Sequence, residues 1–155
     1  KHSIIAVVLF LSLFSTVAVA QQEVPVQGYA GYSQTDMQAY GEQGTTYGGV
    51  VGFWVDDHAA LEIGYGESDN LQKYDVQLIG SIFHTWGQRI TWQLGADYVT
   101  TDLSDEADNF WHYGLGYEAR AGFLTLRAQY NIYQMRDDNG TDKPYGVSFS
   151  ALYNF

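Results

Sequence analysis

The sequence predicts an all-β chain, an eight-stranded antiparallel up-and-down transmembrane β-barrel. Three observations carry that prediction. From Pro25 onward apolar and polar residues alternate with period two, the pattern of strands with one apolar and one polar face. The alternating segments run to about ten residues, the length of a tilted strand crossing a bilayer. The connections between them alternate between short and long, as in barrels with tight turns at one rim and larger loops at the other. Cysteine is absent and Gly, Tyr and Phe are abundant, with 17, 13 and 8 residues. A closed barrel in lipid supplies the stability that disulfides give many exported domains.

The segment before the alternation has a different character. Lys1-His2-Ser3 precedes an apolar run from Ile4 to Phe14, followed by Ser15-Thr16-Val17-Ala18-Val19-Ala20. A basic start, an apolar middle and an Ala-x-Ala site form a secretory signal peptide. Residues 1–20 are therefore expected to be cleaved, leaving 21–155 as a single barrel domain.

The strands follow in order. Val26–Gln34 places Val26, Gly28, Ala30 and Tyr32 on one face, with Tyr29 competing for it, and Thr35–Gly44 reads as a polar loop. Thr45–Val55 presents Tyr47, Gly49, Val51, Phe53 and Val55, before a turn at Asp56–His58. Ala59–Gly66 presents Leu61, Ile63 and Tyr65, and Glu67–Leu71 turns the chain. Gln72–His84 presents Tyr74, Val76, Leu78, Gly80 and Ile82, before a turn at Thr85–Arg89. Ile90–Val99 presents Ile90, Trp92, Leu94, Ala96 and Tyr98. Thr100–Asn109 reads as an acidic loop. Phe110–Arg120 presents Trp111, Tyr113, Leu115, Tyr117 and Ala119, with a turn at Ala121–Gly122. Phe123–Met135 presents Leu124, Leu126, Ala128, Tyr130 and Ile132, and Arg136–Pro144 reads as a loop. The last strand, Tyr145–Phe155, presents Tyr145, Val147, Phe149, Ala151, Tyr153 and Phe155.

Alternation alone does not say which face points inward. Aromatic placement decides for lipid outside. Tyr47, Tyr65, Tyr74, Tyr98, Tyr113 and Tyr145 take one end of the apolar faces, and Phe53, Trp92, Tyr117, Tyr153 and Phe155 the other. Two aromatic girdles with aliphatic residues between them fit the two membrane–water interfaces. The opposite face is rich in Gly and Ser, which suits an eight-stranded barrel whose interior is just wide enough for side chains to fill.

The last strand, with Tyr145, Val147, Phe149, Ala151 and Tyr153 outward and Phe155 terminal, resembles that of the small OmpA/OmpX-type outer-membrane barrels. The resemblance extends over the mature chain as a pattern. It implies an outer-membrane protein with a structural or surface-interaction role. It also implies that Tyr153 and Phe155 form an assembly signal read by the barrel-assembly machinery. Its implied partners are outer-membrane lipid and lipopolysaccharide, and the expected state is a monomer. The short turns and both chain ends then lie on the periplasmic side.

Candidate chemistry concentrates on the polar face. Glu62, Glu118, Arg120 and Arg127 are expected to form an ionic network in the lumen, with Gln93 nearby. With the turn at Ala121–Gly122, Glu118 and Arg127 would lie diagonally across one hairpin. Such a network could gate a narrow pore, but eight strands leave little bore, so a plug that keeps the lumen shut is the better reading. His58, His84 and His112 lie far apart in the pattern, in no metal-binding spacing, and read as turn or interface residues. His84-Thr85-Trp86 and His112-Tyr113-Gly114 lack the His-x-Ser pair of lipid A-deacylating barrels, and no G-x-S-x-G elbow occurs. No enzymatic role, catalytic residue, metal ligand or cofactor is expected. The loop acids Asp36, Glu42, Glu67, Asp69, Asp102, Asp105, Glu106, Asp108, Asp137, Asp138 and Asp142 read as a solvated rim. Divalent-cation bridging to lipopolysaccharide is the alternative. A net charge of −11 leaves no basic surface for a nucleic-acid partner.

Protein purified from membranes is predicted to begin at Gln21 by intact mass. A mature chain that retains Lys1 would overturn the cleavage site.

Overall fold

A computed structural model describes residues 27–102, 104–137 and 140–155. The expected signal peptide, Val26 and Asp138 lie outside these residues. The chain forms strands β1 (Gln27–Met37), β2 (Thr45–Trp54), β3 (Ala59–Glu67), β4 (Leu71–Thr85), β5 (Gln88–Thr101), β6 (Ser104–Ala121), β7 (Leu124–Asp137), the three-residue β8 (Gly140–Asp142) and β9 (Tyr145–Asn154). Every pairing is antiparallel between neighbours. β1 joins β9, β9 joins β7 and β7 joins β6, which closes an eight-stranded up-and-down barrel. β8 folds back only on the end of β7.

Closure leaves no sheet edge, so strand backbone groups pair within the wall, as a segment in hydrocarbon requires. The alternation assigns the faces as expected. Leu78 and Leu94 sit opposite each other on neighbouring strands and point outward. Tyr65, Tyr74 and Tyr98 form a cross-strand row, with ring centroids 5.0 and 6.3 Å apart. Phe53, Trp92, Tyr113, Tyr117, Tyr145, Tyr153 and Phe155 also lie on the outer face, as does Tyr47. Trp111, two residues nearer the loop end than Tyr113, is the outermost exposed aromatic of β6. In β1 the competition resolves with Tyr32 outward and Tyr29 buried inside.

Several boundaries differ from the sequence expectation. Thr100–Asn109 is not mainly loop: β5 and β6 continue as a paired hairpin to Thr101 and Ser104. The reason is inside the barrel, where Val99 and Phe110 are buried with Met37, Leu71 and Tyr133. The same cluster extends β1 to Met37, and Gln38–Gln43 is a 3-10 turn rather than irregular loop. Tyr40 of that turn packs on the cluster and donates to Asp108 Oδ2 at 2.9 Å. Burial and that carboxylate push the Tyr40 hydroxyl well above its ordinary pKa, so it remains a donor.

The opposite rim is built from tight turns. Asp56 Oδ1 accepts from the His58 and Ala59 N–H groups at 2.7 and 2.8 Å, which holds its carboxyl below the usual range. Between β4 and β5 the two turn residues are Trp86 and Gly87, because Thr85 pairs with Gln88. Arg89, expected in this turn, therefore belongs to β5. The last tight turn centres on Gly122 (φ 62°) and Phe123, one residue later than expected. That single shift moves the hairpin register by two, so Glu118 lies directly opposite Arg127 rather than diagonal to it.

Arg at Leu94 is predicted to destabilise the barrel in liposomes by about 2–4 kcal/mol, against about 0–1 kcal/mol for Arg at Tyr98 near the rim. Reversible folding titrations measure this. An indifferent Leu94→Arg would place that face away from hydrocarbon.

Candidate functional site: the lumen

Period-two alternation sends one side chain in two to the interior, and the register sets their heights. Glu62 on β3, Gln77 on β4, Glu118 on β6 and Arg127 on β7 are all buried there. Arg127 is the hub. Its Nε donates to Glu118 Oε1 at 2.7 Å and its Nη1 donates to Glu62 Oε2. Tyr29 donates to the same Glu62 oxygen at 2.8 Å, and its ring centroid lies 5.1 Å from the guanidinium carbon. Gln77 Nε2 donates to Glu62 Oε1 at 2.5 Å. Two carboxylates therefore share one guanidinium, and Tyr29 and Gln77 supply the further donors that the buried Glu62 carboxylate requires.

A second cluster lies toward the loop end. Lys73 Nζ donates to Asp75 Oδ1 at 2.7 Å and lies 3.0 Å from Asp97 Oδ1. The other Asp97 oxygen meets His112 Nδ1, while His112 Nε2 lies 3.2 Å from Gln77 Oε1. Gln77 thus joins the two clusters. His112 is a buried lumen residue and not an interface or turn histidine. Its ring fits because position 95 on the facing strand is Gly: a Cβ there would run into the imidazole. Gln93 donates to Asn131 Oδ1 at 2.9 Å across the same interior.

Apolar layers bound this polar core. The Met37, Leu71, Val99, Phe110 and Tyr133 cluster covers it at the loop end. Trp54, Ala60, Ile79 and Leu152 with Tyr29 and Val50 form another cluster on the β1–β4 and β9 side. Between them remains a cavity of about 20 Å³, lined by groups that include Glu62, Lys73, Gln77 and Gln129. That holds about one water molecule.

Of the four residues expected in the ionic network, the structure brings Glu62, Glu118 and Arg127 together and leaves Arg120 out. Arg120 lies on the inward parity but two residues beyond Glu118, roughly 7 Å further along the strand. It is exposed at the short-turn mouth, where it donates to Gly122 O at 3.0 Å and Gln27 Oε1 at 3.2 Å. Sequence reasoning did not assign Tyr29, Lys73, Asp75, Asp97 and His112 to an ionic network. All but Tyr29 were already signalled by their place on the polar side of their strands.

Three of the loop acids accept hydrogen bonds from described side chains. Asp36 accepts from Thr45 at 3.3 Å, Glu67 from Tyr65 at 2.5 Å and Asp108 from Tyr40. The side chains of Asp105, Glu106, Asp137 and Asp142 lie outside the described ones. No cluster of three His, Asp or Glu residues suited to a metal occurs among the described residues.

A closed eight-stranded barrel with outward apolar residues and an inward ionic core defines the small transmembrane-barrel fold. Solved structures of that fold superpose on it. The N-terminal β-barrel domain of Pseudomonas aeruginosa OprF matches with a TM-score of 0.67 and 16% identity, covering 86% of this chain and 100% of that one. A de novo designed transmembrane β-barrel matches at 0.58 and 16%, covering 87% and 99%. The Yersinia pestis outer membrane protein Ail, in a phospholipid nanodisc, matches at 0.52 and 14%, covering 86% and 100%. No protein-family model matches the sequence, and no curated protein matches it significantly.

Arg127→Ala is predicted to destabilise the barrel by about 3–5 kcal/mol, because it strands buried carboxylates. Arg127→Ala with Glu118→Ala should cost less than the sum of the single changes, by about 0.5–3 kcal/mol. A double-mutant cycle on folding free energy measures the coupling, and strict additivity would dissolve the pair.

Proposed function

We propose that the chain is an integral outer-membrane barrel whose role is structural or surface-interacting, with its lumen plugged by its own side chains. The observation that carries this reading is the pairing of Arg127 with Glu62 and Glu118 across the interior, with a void of about 20 Å³ on its loop side. Side chains that hold one another across the interior occupy the space that a permeant ion would need. Buried pairs of this kind are costly to separate. No step of chemistry is needed to account for them, so the reading is non-catalytic.

The other elements of the proposal rest on the sequence pattern and on the outer face. The outward band of aliphatic residues between aromatic rings suits lipid, with lipopolysaccharide outside and phospholipid inside. The short-turn rim and both chain ends face the periplasm. Residues 1–20 direct export and are removed. Tyr153 and Phe155 lie on the outer face at the end of β9, where the barrel-assembly machinery would read them. The barrel acts as a monomer, because its outward face is spent on lipid. The acidic loops form a solvated rim, and a cation bridge from them to lipopolysaccharide is the secondary possibility.

Planar-bilayer recordings on refolded protein test the plug. A silent barrel is the expected result. Stable unitary openings in the unmodified protein would replace this reading with that of a narrow passive pore. The assembly role is tested separately by deleting Phe155. Outer-membrane levels in cells should fall while refolding into detergent is retained, and equal loss in both assays would make its role one of packing.

A further inference from the structure

Below the plug, the barrel opens at the short-turn end into a cavity of about 320 Å³. Arg89, Arg120 and Arg127 all line it, three of the seven Lys and Arg residues in a chain of net charge −11. Arg127 is neutralised by Glu62 and Glu118. The other two guanidiniums are not saturated. Arg89 lies over the Trp54 ring, with its guanidinium carbon 3.7 Å from the centroid. Its nearest carboxylate oxygen, on Glu118, is 3.8 Å away, beyond hydrogen-bond reach. The Arg89 side chain makes no hydrogen bond among the described residues, although it is only 20% exposed. Arg120 uses Nε and one Nη1 bond on Gly122 O and Gln27 Oε1, which leaves Nη2 without a partner among the described residues. Gln88, His84 and Asn154 add polar groups to the wall, and Asp57 is the one further acid on it.

We propose that this vestibule binds a small oxyanion, a phosphate or carboxylate group, with Arg89 as the bidentate donor and Arg120 as the second cation. A guanidinium is planar, and two parallel N–H···O bonds match its N–H fork to a carboxylate or phosphate edge. The indole also fixes the orientation before binding, so little side-chain entropy is lost. The volume is that of a small-molecule pocket. The cavity lies on the barrel axis, within reach of a dissolved anion. A lipid headgroup carries the same chemistry and would have to fold in over the rim. The site does not depend on whether the lumen above it conducts.

The test is a calorimetric titration of the refolded barrel in uncharged detergent, first with inorganic phosphate and then with short-chain phosphatidylglycerol. Heat-shifted gel mobility verifies that each variant is folded. Saturable binding with one equivalent is expected. Arg89→Gln should weaken it about tenfold or more, and Arg89→Lys should recover only part, because the fork is lost while the charge stays. Arg120→Gln should weaken it less, and Lys143→Gln, in the loop at the other end, should leave it unchanged. Phosphate binding identifies a soluble ligand. Binding of the headgroup alone, with the same dependence on Arg89, identifies lipid. Absence of saturable binding by both probes, or binding that Arg89→Gln and Arg120→Gln leave unaltered, overturns the proposal.

Discussion

The structure depends on one constraint: the side chains of an eight-stranded barrel meet one another across a narrow interior, and at its centre this chain places charge. Arg127 is the keystone. It reaches from β7 to Glu118 on the adjacent β6 and across the lumen to Glu62 on β3. A hydrophobic filling would be no less stable in principle, since buried ion pairs barely repay their desolvation. What the ionic filling adds is geometric demand. Glu62 meets Arg127, Tyr29 and Gln77 only if β1, β3, β4 and β7 keep their registers, because a slip of one residue turns these groups out toward lipid.

The wall and the ionic core therefore specify each other. The outer face tolerates many apolar residues of similar size, so by itself it determines register weakly. The lumen is selective, since each carboxylate needs its own donors. Gln77 links the Arg127 cluster to the Lys73, Asp97 and His112 cluster, so the polar core runs through most of the barrel as one network. The apolar cluster around Met37 and Phe110 then keeps water from the loop end. The short-turn end, where Trp54 and Leu152 line the wall, opens into the larger cavity, and it is there that Arg89 and Arg120 keep donors without partners among the described residues.

The sequence by itself determined the architecture. Period-two alternation, segment length and the phase of short and long connections were enough for eight antiparallel strands, for the outward position of Leu78, Leu94 and the aromatic residues, and for the inward position of Glu62, Glu118 and Arg127. Parity is a local property, and it survives errors of one or two residues at strand ends. That is why the hairpin of β5 and β6 was placed on the right faces even though its outer part read as an acidic loop.

Only the tertiary structure decided which inward residues meet. Height along the barrel depends on turn position and on strand stagger around the closed wall, neither of which a single strand encodes. A turn one residue later than expected put Glu118 opposite Arg127. Arg120, on the same parity, lay beyond the plug at the mouth. His112 looked isolated in the sequence because its partners Asp97 and Gln77 are 15 and 35 residues away, and Tyr29 competed for the lipid face until Glu62 offered its hydroxyl a partner inside. Parity is written into each strand, whereas contact across the lumen exists only once the barrel has closed.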